Sequence, residues 1–398
     1  MKSIKYILFV FLAGYLLFSC SKTVNYTYTH ETEKSFPIIE VEGSYYDIGY
    51  AVGLMSKNEL MSMLEMRKDW FEELKTKAGE GDGSLYQQLY DQAFRHYPQY
   101  IEELQGIAKG AGVDFREIFI LNIKAELGVE NSPEKEEDPG CSTIYFNGVD
   151  GKFLLHNEDG HRAFTSAMFI VKATPPSGVS FVALTYAGIM VGNGPGFNDR
   201  GIIQTTNYIA GMSWQIGIPR YFVNRAVLEA KTLDEAIGIA GQENRAFAYH
   251  HNLGDFHTDM LMSVEVTPKR MSQLVPEDNY YHTNHLIHET FVDFQQDEEY
   301  VQSSSMSRFE VLDIKTHSIQ DNSATFKDVF QFLASHDNEP FSTCRHPKGD
   351  INGVTLGTAV FDLNRDVMII FKGSPCQSYQ EDRITEFKLA DMVVAIED

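Results

Sequence analysis

The chain has 398 residues, enough for one large domain or two of ordinary size, and its 43% hydrophobic content suits a globular protein with a substantial core. Its 33 Lys and Arg stand against 56 Asp and Glu, a formal net charge of −23 at pH 7. Such a surface repels nucleic acid, and no arginine- or lysine-rich patch offsets it, so nucleic-acid partners are excluded.

Residues 1–5 carry Lys2 and Lys5, and residues 6–18 are an apolar run of 13, too short to span a bilayer comfortably. The run ends in Leu17-Phe18-Ser19-Cys20, which resembles a bacterial lipobox. The resemblance implies a lipoprotein signal peptide over residues 1–19, acylation (palmitate) at Cys20, and a lipid-anchored place in the bacterial cell envelope. The alternative is an ordinary signal peptide in which Cys20 falls near the cut by chance. Two or more acyl chains are enough for stable membrane anchoring. No later run is long and apolar enough for a transmembrane helix. Residues 20–36 are polar and read as a disordered tether.

Residues 37–140 read as a helical segment. Apolar residues recur every three or four positions over 47–74, a second helix over 85–96 stops before Pro98, and a third over about 99–111 stops at Gly112. Residues 131–140 form an acidic, proline-containing loop. Strands follow: 141–159 as a pair, 167–173 with 180–187, 190–193 with 201–208, and one near 260–266. Helices are expected over 219–230 and 233–241, the latter opened by a capping box from Thr232 to Glu235. Two more are expected over 305–315 and 326–335, and the chain closes with a hairpin of 357–363 and 367–372. Strands with helices segregated before and after them give an α+β layered class.

Gly140-Cys141-Ser142-Thr143 lies where the acidic loop meets the first strand. If the chain is cut between Gly140 and Cys141, the cysteine becomes an amino terminus carrying nucleophile and base together. The thiol attacks, and the freed α-amine, with an ordinary pKa of roughly 7.7–8.0, takes the proton. The other reading is a buried structural cysteine. Asn147-Gly148-Val149-Asp150-Gly151 is a turn by composition. A five-residue loop there pairs Phe146 with Lys152, sets Cys141 opposite Asn157, and brings Asp159 onto the same face. A one-residue slip would turn both away.

The remaining constellations are weaker. Gly192 to Gly196 lacks nucleotide-loop spacing and reads as a turn. His250, His251 and His257, and His282, His285 and His288, form two groups without a complete ligand set, so they read as structural or pocket histidines. No metal and no other cofactor is expected. Ser142 and Thr143 lack a Gly-x-Ser-x-Gly elbow. Cys344 and Cys376 are either a disulfide, which export would permit, or separate buried thiols.

Gly140-Cys141-Ser142-Thr143 followed by Asn157-Glu158-Asp159 resembles the acyl-coenzyme A:6-aminopenicillanic-acid acyltransferase family of autoproteolytic Ntn (N-terminal nucleophile) cysteine hydrolases. It is more distantly similar to choloylglycine hydrolases, penicillin V acylases and acid ceramidase. The resemblance covers most of the chain after residue 37. It includes the glycine-containing stretches around Gly43, Gly49 and Gly53 and around Gly112, the stretch leading to Asn207, that around Asn284, and the segments ending at Arg308 and around Arg345. It implies a four-layer αββα sandwich, with residues 37–140 as pro-segment or α subunit and residues 141–398 as catalytic β subunit. It implies Cys141 as nucleophile, Asp159 orienting the terminal amine, and Asn284 donating to the oxyanion. Asn157 and Asn207 are implied as pocket residues, and Arg308 or Arg345 could hold a substrate carboxylate. The choloylglycine branch usually has an arginine where this chain has Asn157, which weakens a bile-salt reading.

The expected activity is hydrolysis of the C–N bond of a small-molecule N-acyl amide through an acyl-thioester on Cys141, with the two fragments staying associated. Acyl transfer from the same acyl-enzyme, or a catalytically silent lipoprotein that binds a small molecule or glycan, are the alternatives. Fatty N-acyl amides, N-acyl amino acids, β-lactam side chains, bile conjugates and β-alanyl amides all remain open as substrates.

Overall fold

The computed structural model describes residues 24–128, 140–209, 214–276, 279–292, 303–319 and 324–392. The expected signal peptide, Cys20, and nearly all of the loop before Gly140 lie outside the described residues.

The N-terminal third begins with strands β1 (Tyr26–Thr29) and β2 (Ile38–Glu42), so the tether expected over 20–36 gives way to a strand at Tyr26. Helices α1 (Tyr45–Met55), α2 (Lys57–Met66), α3 (Lys68–Ala78), α4 (Leu85–His96), α5 (Pro98–Ala111) and α6 (Phe115–Asn122) follow. The single helix expected over 47–74 is interrupted twice. At Ser56 and Arg67 ψ rises to 11° and 30°, which ends one helix and starts the next. The Ser56 hydroxyl donates back to the Val52 carbonyl at 2.8 Å, a bond that bends helices. Helices α1 and α5 cross backbone to backbone. A Cβ at Gly49 would lie 1.9 Å from the Glu103 carbonyl oxygen, and one at Gly106 would lie 2.2 Å from that of Tyr46. Gly53 and Gly110 repeat the contact one turn on. These four glycines are a packing requirement of the N-terminal helices, and any side chain there would push the helices apart.

Two sheets follow. The strands are β3 (Ser142–Gly148), β4 (Gly151–His161), β5 (Met168–Thr174), β6 (Phe181–Tyr186), β7 (Gly196–Asn198) and β8 (Ile202–Tyr208). After helices α7 (Arg220–Val227) and α8 (Leu233–Ala240) come β9 (Tyr249–Asp255), β10 (Met260–Val266), β11 (Met271–Leu274) and β12 (Tyr280–His282). Helices α9 (Ser303–His317) and α10 (Phe326–Leu333) precede β13 (Gly353–Asp362), β14 (Val367–Lys372), helix α11 (Pro375–Ser378) and β15 (Ile384–Lys388). One sheet has nine strands in the order β1-β2-β5-β6-β7-β8-β9-β10-β11, and the other has six, β12-β3-β4-β13-β14-β15. Their inner faces meet. The Tyr145 hydroxyl on β3 donates to Asn252 on β9 at 2.8 Å, and the Phe256 and Phe361 rings are 6.4 Å apart. Helices α1, α7 and α8 pack on the nine-stranded sheet, α5 packs on α1, and α9, α10 and α11 pack on the six-stranded one. The result is the expected four-layer αββα sandwich. Strand β9, Tyr-His-His-Asn-Leu-Gly-Asp, escapes a hydrophobic reading because its inner face carries polar groups paired between the sheets. The Thr232 hydroxyl caps α8 by accepting from the Glu235 N–H, but Glu235 reaches back to the Lys231 N–H rather than closing the expected box.

The β3–β4 hairpin corrects the expected register. Gly148 pairs with Gly151, Phe146 with Phe153, and Ser142 with Asn157. The turn is therefore two residues, Val149 and Asp150, not five. Two contacts keep the glycines in the ladder. A Cβ at Gly148 would strike the Phe146 ring at 2.1 Å, and one at Gly151, which has φ +124°, would strike the Asn364 amide at 1.9 Å. Cys141 is thus not opposite Asn157. Thr143 and His156, which face each other, share the inner face of the hairpin, and Asn157 lies on the outer one.

Candidate active site

Gly140 and Cys141 are buried at the entrance to β3. Arg308, fully buried on α9, organises this junction. One of its terminal nitrogens donates to the Cys141 carbonyl at 2.6 Å and to the Ser142 hydroxyl at 3.0 Å. The other donates to Asn284 Oδ1 at 2.7 Å. A guanidinium only donates, so this contact fixes which end of the Asn284 amide is oxygen and turns the NH₂ the other way. That NH₂ donates to the Tyr208 carbonyl at 2.8 Å. The Asn284 backbone N–H is held by the Ser305 hydroxyl at 2.8 Å, one turn before Arg308 on the same helix. The amide presses on Gly140 so closely that a Cβ there would be 1.9 Å from Oδ1 and 2.7 Å from Nδ2. Glycine is the one residue that fits before this cysteine.

The sulfur faces groups that the sequence reading passed over. Cys141 Sγ, an imidazole nitrogen of His156 and a carboxylate oxygen of Glu158 all lie within 4.8 Å of one another. His156 Nε2 is 3.2 Å from Glu158 Oε2, and its Nδ1 is 2.8 Å from the Thr143 hydroxyl. Thr143 donates its one proton to Asn207 Oδ1 at 2.9 Å, so it accepts from His156 Nδ1–H. Both imidazole nitrogens are engaged within the protein, which argues against a metal ion in this cluster. Tyr186 closes the group with a hydroxyl bonded to the other Glu158 oxygen.

Burial raises the Cys141 pKa well above the ordinary thiol value, and the charges of Glu158 and Asp159 raise it further. The Asp159 N–H and Arg308 oppose this only in part. In the uncut chain the residue is therefore a thiol. Asp159 is itself pushed up to about 7 by burial, against the lowering influence of Arg308, Arg345 and Thr355. Neither of its oxygens has a hydrogen bond of good geometry. Arg308 is lowered to about 10 by burial, with Asp159 acting the other way.

The other expected residues divide. Asn207 is buried between the sheets, its oxygen accepting from Thr143, Asn252 (2.8 Å) and His250 (3.3 Å) and its NH₂ without a partner. Asn157 points out of the sandwich. Its NH₂ bonds the Leu333 and Thr343 carbonyls at 3.0 and 2.8 Å and its oxygen accepts from Thr358 at 2.7 Å, so it fastens β4 to the end of α10. Arg345 is fully buried and donates to the Ser304 hydroxyl at 2.9 Å, as does Arg308 Nε at 3.3 Å. Arg308 is committed to Cys141, Ser142 and Asn284, which leaves it no fork for a substrate carboxylate. The cations that do line the cleft are Arg67, Lys124 and Arg220. Tyr186, Tyr208, Tyr221, Tyr249 and Phe164 form its aromatic walls, and Gly140, Cys141, Glu158 and Asp159 also line it. The Arg220 guanidinium sits 4.8 to 5.1 Å from the Tyr208, Tyr249 and Tyr221 rings, a cation–π cage that fixes its place.

A family model described as acyl-coenzyme A:6-aminopenicillanic acid acyl-transferase matches residues 146–377. The β-alanyl-dopamine/carcinine hydrolase of Drosophila melanogaster is 25% identical over 387 residues, 88% of this chain and 96% of its own length. The 40 kDa form of the acyl-coenzyme A:6-aminopenicillanic-acid acyltransferase of Emericella nidulans is 26% identical over 332 residues, 81% and 89% of the two chains. Among solved structures, a variant of the conjugated bile acid hydrolase from Clostridium perfringens superposes with a TM-score of 0.43 at 11% identity, over 63% of this chain and 93% of its own. Penicillin V acylase from Agrobacterium tumefaciens gives 0.34 at 9% identity, over 58% and 82%.

Proposed function

We propose, from the premise that the chain belongs to the acyl-coenzyme A:6-aminopenicillanic acid acyl-transferase family and is an enzyme acting on amide bonds, that it is a self-cleaving Ntn cysteine hydrolase of small linear amides. The observation that carries this reading is the convergence of Arg308 and Asn284 on the Gly140–Cys141 junction. The sulfur attacks the Gly140 carbonyl through a five-membered ring. The C–S bond forms, the C–N bond breaks, and the thiol proton ends on the new α-amine. Water then opens the thioester, leaving a Gly140 carboxylate and a Cys141 that carries both thiol and amine. Arg308 keeps its hold on the Cys141 carbonyl, so the new terminus stays in place. The fragments 20–140 and 141–398 remain associated, because β2 pairs in parallel with β5 and the helices of the first fragment share one core with the sheets of the second.

In turnover the same thiol adds to a substrate amide, with the α-amine as base and Asp159 orienting it. Asn284 Nδ2, one of whose N–H groups donates to the Tyr208 carbonyl, gives its second N–H to the oxyanion. The amine leaves and water cleaves the acyl-thioester. The aromatic walls favour a substrate with a ring, which β-alanyl-dopamine, the compound in the name of the Drosophila relative, has. Hydrolysis rather than transfer is the reading, because the net charge of −23 disfavours the phosphates of coenzyme A and the Drosophila relative, matched over 96% of its length, is named a hydrolase. Incubating processed protein with β-alanyl-dopamine alone should release the free amine. A strict requirement for added acyl-coenzyme A or acceptor amine would replace hydrolase with acyltransferase.

Lipid anchoring at Cys20 in a bacterial envelope belongs to the same proposal and rests on the lipobox-like sequence alone. Labelled fatty acid should enter the wild type and not Cys20→Ala; label retained in the variant would remove the anchor.

A further inference from the structure

Away from the cleft, two histidines and two cysteines converge from three parts of the chain. His336 follows the end of α10, Cys344 and His346 flank Arg345 in the next loop, and Cys376 opens α11. One ligand atom from each lies within 4.8 Å of every other. His346 Nε2 is 3.6 Å from Cys344 Sγ and 3.4 Å from Cys376 Sγ. In a tetrahedron with zinc–sulfur bonds of about 2.3 Å and zinc–nitrogen bonds of about 2.0–2.1 Å, the sulfur-to-nitrogen edge is about 3.6 Å. The two sulfur-to-nitrogen distances at His346 thus match such an edge, and the other ligand atoms lie close enough to complete it. Both cysteines are free thiols. A disulfide would join the sulfurs and leave the convergence of two imidazoles on them unexplained.

We propose that His336, Cys344, His346 and Cys376 bind one zinc(II) ion as a four-coordinate structural site. Two thiolates and two neutral imidazoles balance the dication, and this soft donor set selects zinc over calcium or magnesium. Each thiol gives up its proton on binding. Four protein ligands leave no open position, so the ion holds structure and does not meet substrate. What it holds is specific. The Cys344 N–H is tied to the Ser335 carbonyl at 3.0 Å and the Arg345 N–H to the Thr355 hydroxyl at 2.9 Å. Arg345, between two ligands, points the other way, to Ser304 and towards Asp159. The ion would pin the loop from behind and keep Arg345 where it supports the nucleophile's surroundings.

The test is metal analysis of the full-length chain purified without chelator, with thiol counting and cobalt(II) substitution. One equivalent of zinc is expected, retained in Cys141→Ala and lost in Cys376→Ser and in His336→Ala, a variant at an exposed position that leaves the core alone. Cobalt should give the intense tetrahedral and thiolate charge-transfer bands in wild type and lose them in Cys376→Ser. A chelator should lower the melting temperature of the wild type and not of His336→Ala. The assignment is overturned by wild-type protein that takes up neither zinc nor cobalt. It is equally overturned by a mass two hydrogens low with Cys344 and Cys376 unreactive until reduced, which is the disulfide, or by an equivalent that disappears in Cys141→Ala.

Discussion

Cys141→Ala is expected to leave the chain as a single polypeptide, uncut at Gly140 and without amide turnover. No other group can supply this loss, because Ser142 is held by Arg308 and Thr143 is committed between His156 and Asn207. The substitution removes one sulfur from a buried position and should shift the melting temperature only slightly, which separates lost chemistry from lost fold. In the wild type the thiol must give up its proton; the charge of Asp159 raises the thiol's pKa, but an ionised carboxylate is also a base able to take that proton, and this base role is what the pH series tests. Asp159 is pushed up to about 7, so it is neutral at pH 5 and ionised at pH 9. Processing should therefore quicken as pH rises through about 7, and Asp159→Asn should process slowly with that rise gone. Intact-mass measurements over a pH series read both. A fragment beginning at residue 141 cannot form by this route without the sulfur, so cleavage in Cys141→Ala would end the proposal.

The layers of this molecule were legible in its sequence because amphipathic periods survive burial on one face. Helices α4 and α5 and strand β14 fall on the expected residues or within one of them, while β13 begins four residues before the expected 357. The register of β3 and β4 was not legible. Composition marks Asn147 and Gly148 as turn residues, but the Phe146 ring and the Asn364 amide leave room only for glycine at 148 and 151 and so draw both into the ladder. That one-residue slip set Asn157 beside the thiol and hid Glu158 and His156. The alternation Thr143, His156, Glu158 on the inner face would have found them once the two-residue turn was known. Arg67, Lys124 and Arg220 come to the cleft from separate elements, and no spacing in one dimension announces that. Of the two histidine groups, read as structural or pocket residues, His250 stacks 3.5 Å from His282, and the two bond Ser263 and Glu265 in the space between the sheets. The cluster at His336 was missed because its ligands are spread over forty residues without a recognisable spacing.

Asn284→Ala is expected to reduce kcat by about 10²- to 10³-fold, the usual consequence of removing one oxyanion donor, equivalent to ~2.7–4 kcal/mol. Position alone does not establish that role, since Asn284 also receives Arg308 and alanine would strand that buried guanidinium nitrogen. Asn284→Asp separates the two functions. Its carboxylate still accepts from Arg308, so the junction keeps its anchor, but it has no N–H to give to an oxyanion. If the donor is what matters, Asn284→Asp loses about as much kcat as Asn284→Ala while its melting temperature stays nearer the wild type. If the residue merely braces Arg308, the aspartate recovers most of the rate and KM is unaffected. The measurement needs pre-processed enzyme, obtained by scoring only the cut fraction, because Asn284 touches Gly140 and either variant would also slow the first cleavage. Wild-type kcat in the cut fraction of Asn284→Asp would transfer the oxyanion role to backbone N–H groups and leave Asn284 as the residue that positions the scissile bond.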